Sequence, residues 1–387
     1  MKLRVHRDAL LHAVQRVQAV AERRTSLQIL SSFLLEAQDK TSARIAATNL
    51  QLGLEMVVPG EVEQGGVVAI GARTLFEILR NFPPAPVELE VDEMFWVHVR
   101  SGRIHFRIVG ASADGYPDLP QPGKRAGEPS VPVAIPAGVL RGLVERTIFS
   151  ISPDETRLHL NSALFQGDGK ILRMVTTDGH RMTCCEETVD EEKRFYRHDV
   201  LIPARGLAEL RKLLDGVDGD LQVVFENPYV FFEVPVGSKG TVSAEGPMQS
   251  LRLAIKLVDA TFPPYRQVIP RDNKRTVIVG RDVLGAALRR ISSISPSRTP
   301  TTRLRLESGK MKISSDNPDI GVGEEEIDVQ YEGEALDIGF NARYLLDVLD
   351  VLRGENVQLS LGGSLDGAVM REENDERFLS VVMPIRI

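Results

Sequence analysis

Along the chain, short runs of alternating apolar and polar residues give way repeatedly to stretches with apolar residues every three or four positions. The first pattern predicts half-buried strands and the second amphipathic helices. "VVAIGARTLFEILRNFPPAPVELEV" from 67, "DVLIPARGLAELRKLLDGVDGDLQVVF" from 199 and "ALDIGFNARYLLDVLDVLRGENVQLSL" from 335 each read strand, tight turn, helix, polar break and strand. Their strand isoleucines Ile70, Ile202 and Ile338 recur at near-constant spacing. A second set, "LRVHRDALLHAVQRVQAV" from 3, "VAIPAGVLRGLVERTIFSIS" from 133 and "VIVGRDVLGAALRRISSIS" from 277, again reads strand, turn, helix. Six such segments in alternating order predict three repeats of two halves each.

The predicted helices are 7–24, 73–80, 141–146, 205–212, 281–290 and 342–353. Alternating runs at 95–109, 223–236 and 369–383 predict antiparallel hairpins with one buried face. Two helices per repeat against many strands predict an α+β fold with the helices gathered on one side. Proline-rich segments at 116–136 and 262–275 suit neither helix nor central strand, so domain boundaries are expected near 126 and 270, giving domains 1–126, 127–270 and 271–387.

Charge adds a second pattern. The chain carries −7, but the six predicted helices together carry +8, which leaves −15 for the remainder. Exposed helical Lys and Arg often do no more than solvate a surface. Segregation across repeated units is a stronger signal, and Arg24, Arg73, Arg80, Arg205, Arg211, Lys212, Arg289 and Arg290 are the candidate phosphate contacts, attractive to DNA of any sequence. No base-reading motif accompanies them, and few aromatics are available for stacking on single strands.

Candidate chemistry is sparse. "TTDGHRMTCCEE" (176–187) brings together Asp178, His180 and Cys184, the residue types of an orienting carboxylate, a base and a nucleophile. Spacings of two and four in a strand-like segment give no assurance that the three meet. Adjacent Cys184 and Cys185 would point to opposite faces of a strand, and neither a disulfide nor a metal site is expected; no cofactor is implied. Charges scattered through the first 17 residues and the lack of an 18-residue apolar run favour a cytoplasmic protein.

The motifs "RRTSLQIL" (23–30), "ATNLQLGLE" (47–55), "VRSGR" (99–103), "TDGHRM" (177–182), "FPPYRQVIP" (262–270), "IGFNARYLLDVL" (338–349) and "VVMPIRI" (381–387) carry a resemblance over essentially the whole chain. The sequence resembles the beta subunits of bacterial DNA polymerase III, the replication sliding clamps. The resemblance implies a head-to-tail homodimer closing a ring of six domains, nucleoid-associated, with the helices facing double-stranded DNA. The implied function is tethering of the polymerase, without catalysis. It also implies a pocket for short hydrophobic motifs of the polymerase catalytic subunit, the clamp loader and other clients. That pocket would be formed by Arg157, Leu160, Thr177, Gly179, His180, Arg181, Met182, Pro263, Val268, Leu365, Val381, Met383, Pro384, Ile385 and Arg386. Gln267 and Asp154 depart from the family pattern, and 190–199 and 236–249 read as insertions.

Strand edges supply one more expectation. The run 96–109 carries Arg100, Arg103, His105 and Arg107, and 321–330 carries Glu324, Glu325, Glu326 and Asp328. Unpaired edges of opposite charge are expected to meet across the subunit boundary. Two competing readings remain: an enzyme using Asp178, His180 and Cys184, and an open DNA-binding protein built on the same repeats.

Overall fold

A computed structural model describes residues 1–21, 26–37, 39–123, 131–189, 195–236, 249–295 and 301–387. The first repeat runs β1 (Lys2–His6), α1 (Arg7–Val17), β2 (Ser32–Ala37), β3 (Ser42–Thr48), β4 (Leu52–Gln64), β5 (Gly66–Gly71), α2 (Ala72–Arg80), β6 (Pro86–Val91), β7 (Trp96–Ser101) and β8 (Ile104–Ala111). The second runs β9 (Val133–Pro136), α3 (Ala137–Thr147), β10 (Ser162–Gly169), β11 (Ile171–Thr177), β12 (Arg181–Thr188), β13 (Phe195–Pro203), α4 (Ala204–Leu214), β14 (Asp220–Glu226), β15 (Tyr229–Val236) and β16 (Gln249–Lys256). The third runs β17 (Arg275–Gly280), α5 (Arg281–Ser292), β18 (Thr301–Glu307), β19 (Lys310–Asn317), β20 (Gly321–Asp328), β21 (Leu336–Asn341), α6 (Ala342–Leu349), β22 (Asn356–Leu361), β23 (Ala368–Glu372) and β24 (Asp375–Val382). Element order is the same in all three.

Every helix is entered directly from a strand, so strand and helix share one hydrophobic anchor region and the turn needs few residues. The Asn341 side chain accepts from the Arg343 amide and His6 from that of Asp8, satisfying donors left free at a helix start. Helix α1 stops at Val17, short of the expected 24. Ala19 and Val20 close three-residue turns onto Arg16 and Val17, which carries Val20 into the core at 0% exposure. Residues 22–25, and with them Arg24, lie outside the described residues.

The strands form three antiparallel sheets. Twelve strands run β1-β6-β7-β8-β5-β2-β3-β4-β16-β15-β14-β9, and β1 also pairs with β4, closing a circuit of eight. Eight run β13-β10-β11-β12-β24-β23-β22-β17, and four run β20-β19-β18-β21. The sheets therefore cross the expected boundaries: β4 pairs with β16 with Glu55 opposite Arg252, and β12 pairs with β24 with Thr183 opposite Ser380. An edge strand left by one repeat is a template for another. Contacts divide the chain into two compact units, 1–138 with 208–257 and 139–207 with 258–387. Phe33, Phe231 and Phe232 fill the core of the first, and Phe165, Phe340 and Phe378 that of the second. Each such buried side chain contributes about 1.5–3 kcal/mol from area alone.

Candidate functional site

In the second unit, residues 177–182 form the turn between β11 and β12. Gly179 has φ +90°, a conformation that favours glycine. Asp178 Oδ1 accepts from the amides of His180 at 2.9 Å and Arg181 at 3.0 Å, and its Oδ2 meets Arg181 Nε at 3.0 Å. This carboxylate builds the turn instead of orienting a base. The His180 ring stacks 6.5 Å from that of Tyr344, and its carbonyl accepts from the Met383 amide at 2.9 Å. Cys184 and Cys185 are free thiols in β12, both buried, and burial pushes each pKa up to about 12. Neither is a thiolate near neutral pH, so the arrangement lacks an activated nucleophile.

Arg181 is expected to face a client peptide, but only 9% of it is exposed. Its other two nitrogens donate to Asp347 at 2.7 Å and the Phe149 carbonyl at 2.6 Å. The guanidinium also lies 4.4 Å from the centre of the Tyr344 ring. These bonds meet three of the five guanidinium N–H groups, so Arg181 ties the turn to α6. Tyr344 and Asp347 had no role in the sequence reading. Their spacing of three places both on one face of α6, which was the available signal.

The proline-rich segment after β16 folds down onto the sheet. Tyr265 is buried with Leu164, Val175, Met182, Cys184, Leu201, Val369 and Val381, while Phe262 and Ile269 pack against the group. The Tyr265 hydroxyl donates to Gln166 Oε1 at 3.0 Å. Among the expected pocket residues, Leu160, Met182 and Val381 are buried, while Thr177, Pro263, Pro384 and Ile385 are partly exposed. Gly179, His180 and Arg386 are exposed, as is Arg157, which pairs with Asp154 at 3.2 Å. The Thr156 hydroxyl, with help from Arg157, holds the Asp154 carboxyl below its ordinary pKa. Three large apolar side chains remain open: Val268 at 46%, Leu365 at 57% and Met383 at 39%. Gln267 is exposed beside Val268.

The basic helices are less uniform than their charge suggests. Arg73, Arg80, Arg205, Arg211, Lys212, Arg289 and Arg290 are all exposed. Arg80 pairs with Glu77 at 2.8 Å, Lys212 with Glu209 at 2.8 Å and Arg289 with Asp350 at 2.6 Å. Arg290 reaches Glu325 of β20 at 2.5 Å, which commits it to the sheet edge. The charge pattern places Arg146 on the basic helical surface. It is instead 3% exposed, bonded to Glu372 at 2.6 Å and stacked 4.5 Å from the Phe378 ring centre.

Strands β8 and β20 both present open edges. Among the described residues, β8 pairs beyond β7 only with Ala69 and Ile70 of β5, through Gly110 and Ala111, and β20 pairs only with β19. Ile104, Phe106 and Val109 of β8 and Val322 of β20 are exposed. The opposite charges expected to meet across copies are largely matched at home. Arg100 pairs with Glu90 at 2.6 Å, Lys312 with Glu324 at 2.7 Å and Lys310 with Glu326 at 2.6 Å. Arg107 lies over Trp96 at 4.1 Å, and His105 stacks on His98. Cross-strand register explains this, since side chains on neighbouring strands meet first. Arg103, in the β7–β8 turn, forms no ion pair among the described residues. Among these residues, no group of three His, Cys, Asp or Glu could hold a metal, and no helix is long and apolar enough to cross a membrane.

Comparison with known proteins accounts for the whole chain. Family models described as the DNA polymerase III beta subunit N-terminal, central and C-terminal domains match residues 1–120, 134–264 and 266–386. The beta sliding clamp of Pseudomonas putida is 33% identical, with 100% of both chains covered. The crystal structure of the DNA polymerase III subunit beta from Pseudomonas aeruginosa superposes with a TM-score of 0.90 at 32% identity, again over 100% of both chains. A structure of a Pseudomonas aeruginosa sliding clamp bound to griselimycin matches with a TM-score of 0.88 at 31% identity and the same full coverage. Family and fold agree, and the chain belongs to the DNA polymerase III beta subunits, the sliding clamps that act in DNA replication as processivity factors without catalytic activity.

Proposed function

We propose that two copies join head to tail, β8 of one against β20 of the other, and enclose duplex DNA without reading its sequence. The observation that carries this is the pair of open strand edges, each fringed with exposed apolar residues. Edge pairing then rests mainly on backbone hydrogen bonds and on Ile104, Phe106 and Val322, with Arg103 the basic group still available to the partner's acidic strand. Arg73, Arg80, Arg205, Arg211, Lys212, Arg289 and Arg290 are the contacts to phosphate in this reading, and Arg80, Lys212, Arg289 and Arg290 leave a carboxylate partner to make them. Domain boundaries near 126 and 270 and residence with the nucleoid in the cytoplasm belong to the same reading.

The apolar surface at Val268, Leu365 and Met383 is proposed to receive a short hydrophobic segment of the polymerase, the loader or another client, with the last residues of the chain as one wall. Extended peptides bind such surfaces through a few apolar anchors. The test is topological. Protein loaded on closed circular DNA is expected to persist in salt that strips electrostatic binders, and to leave once the circle is cut. Equal loss from circular and linear DNA at high salt would replace the ring with an open DNA-binding protein.

A further inference from the structure

The chain beyond β24 is a short strap held at two points. The Met383 amide donates to the His180 carbonyl at 2.9 Å, and the Ile385 amide donates to the Gly339 carbonyl at 2.8 Å. The second bond is an isolated antiparallel bridge between Ile385 and the middle of β21. Glycine weakens a strand interior and marks a place where another backbone comes close. Here the approach is very close. A Cβ on Gly339 would lie 2.5 Å from Ile387 Cγ2, 2.8 Å from the Ile385 carbonyl oxygen and 3.3 Å from Thr301 Cγ2. The Ile387 side chain can rotate away, but the Ile385 oxygen is backbone and moves only with the strap.

Strand β21 cannot yield in its place. Ile338 and Phe340, on either side of Gly339, are both 0% exposed, and β18 holds the strand with Leu304 opposite Ile338 and Thr302 opposite Phe340. We infer that Gly339 is the positioning residue of the C-terminal strap: its missing side chain lets residues 383–387 lie on β21 and fixes where Met383 and Ile385 stand. This rests on the client-surface reading above, in which those two residues form a wall. A methyl group at 339 lifts the strap from β21 and spoils the wall, although Gly339 lies outside the proposed set of client-contacting residues. Gly367 supports the other side of the same wall, where a Cβ would sit 3.3 Å from Met383 Sδ.

The test uses the full-length protein, with griselimycin as the probe. In the unaltered chain, the Ile385 amide is expected to exchange with solvent at least about tenfold more slowly than a free-chain amide. Gly339→Ala should remove that protection and weaken griselimycin binding about tenfold, with dimer mass unchanged and the melting transition retained. Deleting Ile387 in the Gly339→Ala background removes the closest collision and should recover part of both losses. An Ile385 amide that exchanges at the free-chain rate in the unaltered protein overturns the inference, and that measurement decides the matter if the variant fails to fold. Folded Gly339→Ala that keeps Ile385 protected and binds griselimycin normally overturns it as well. If the unaltered chain does not bind griselimycin, a short hydrophobic peptide takes its place as the probe; failure of that peptide to bind overturns the client-surface reading, and Ile385 exchange in the two proteins still decides whether Gly339 holds the strap.

Discussion

Where β4 meets β16, charged side chains cross five neighbouring strands in a row: Glu36, Arg44, Glu55, Arg252 and Glu233. Arg44 reaches Glu36 at 2.8 Å and Glu55 at 2.7 Å, and Arg252 reaches Glu55 at 2.9 Å and Glu233 at 2.7 Å. Gln121 joins the row at Glu55, at 3.0 Å. Where β12 meets β24 the linkage is made of buried hydroxyls. Thr183 Oγ1 lies 2.6 Å from Ser150 Oγ and 3.1 Å from Ser380 Oγ, and Ser380 in turn donates to the Met182 carbonyl at 3.2 Å. Arg146 with Glu372 and Arg181 with Asp347 flank that chain. The ion row is partly open to solvent, so its strength depends on salt and it tolerates the loss of a member. The hydroxyl seam gains little net energy per bond, but each group is expensive to leave unpaired. Two joints with the same backbone pairing therefore differ in what can loosen them.

The largest effect should come from Arg146→Ala, which leaves Glu372 without its cation and removes the stacking on Phe378. A loss of about 3–5 kcal/mol is expected in urea unfolding of the second unit. Arg146→Met, which keeps most of the volume, should fare no better if the unpaired charge dominates, and the two variants separate charge from packing. Next is Thr183→Val, an isosteric change that strands Ser150 and costs about 1–3 kcal/mol. The triple variant Ser150→Ala, Thr183→Val, Ser380→Ala should recover most of that loss, because no polar atom of the chain is then left over. Additive losses in the triple would show that the hydroxyls do not act as a unit.

Glu55→Gln should cost less, about 1–2 kcal/mol at low salt, with the penalty shrinking as ionic strength rises. If its effect is the same at low and high salt, the row is a packing feature and the contrast between the joints disappears. The mildest test perturbs nothing. At pH 8 a thiol with a pKa about 12 is thiolate in roughly one part in ten thousand, so the native protein should alkylate very slowly. Cys184 and Cys185 lie on β12 itself, so labelling should accelerate in Thr183→Val and stay unchanged in Glu55→Gln.

The repeating strand–helix units were legible because each is local: Ile70, Ile202 and Ile338 lie in strands that run into α2, α4 and α6 within a few residues. The hairpins β7–β8, β14–β15 and β23–β24 were legible for the same reason. The joints were not. Arg252 and Glu55 are 197 positions apart, and no periodicity announces which edges will pair. Helical charge reads as surface by default, which holds for Arg73 and fails for Arg146, whose burial depends on Glu372 and Phe378 from a distant segment. At the turn 177–182 the residue types of catalysis were correctly seen, but their roles depend on the Asp178 turn geometry and on the depth of β12, neither of which spacing reveals.

The pairing of β12 with β24 also governs how the protein must be made. Met182 waits for Ser380, 198 positions further on. At about 5–20 residues per second, a ribosome takes about 10–40 s to supply that partner. Throughout that interval the nascent chain carries β12 paired with β11 on one edge and open on the other, a template for any strand that reaches it first, including one from another copy. Crowded translation of one message is therefore the condition under which this sheet is most exposed to mispairing between molecules.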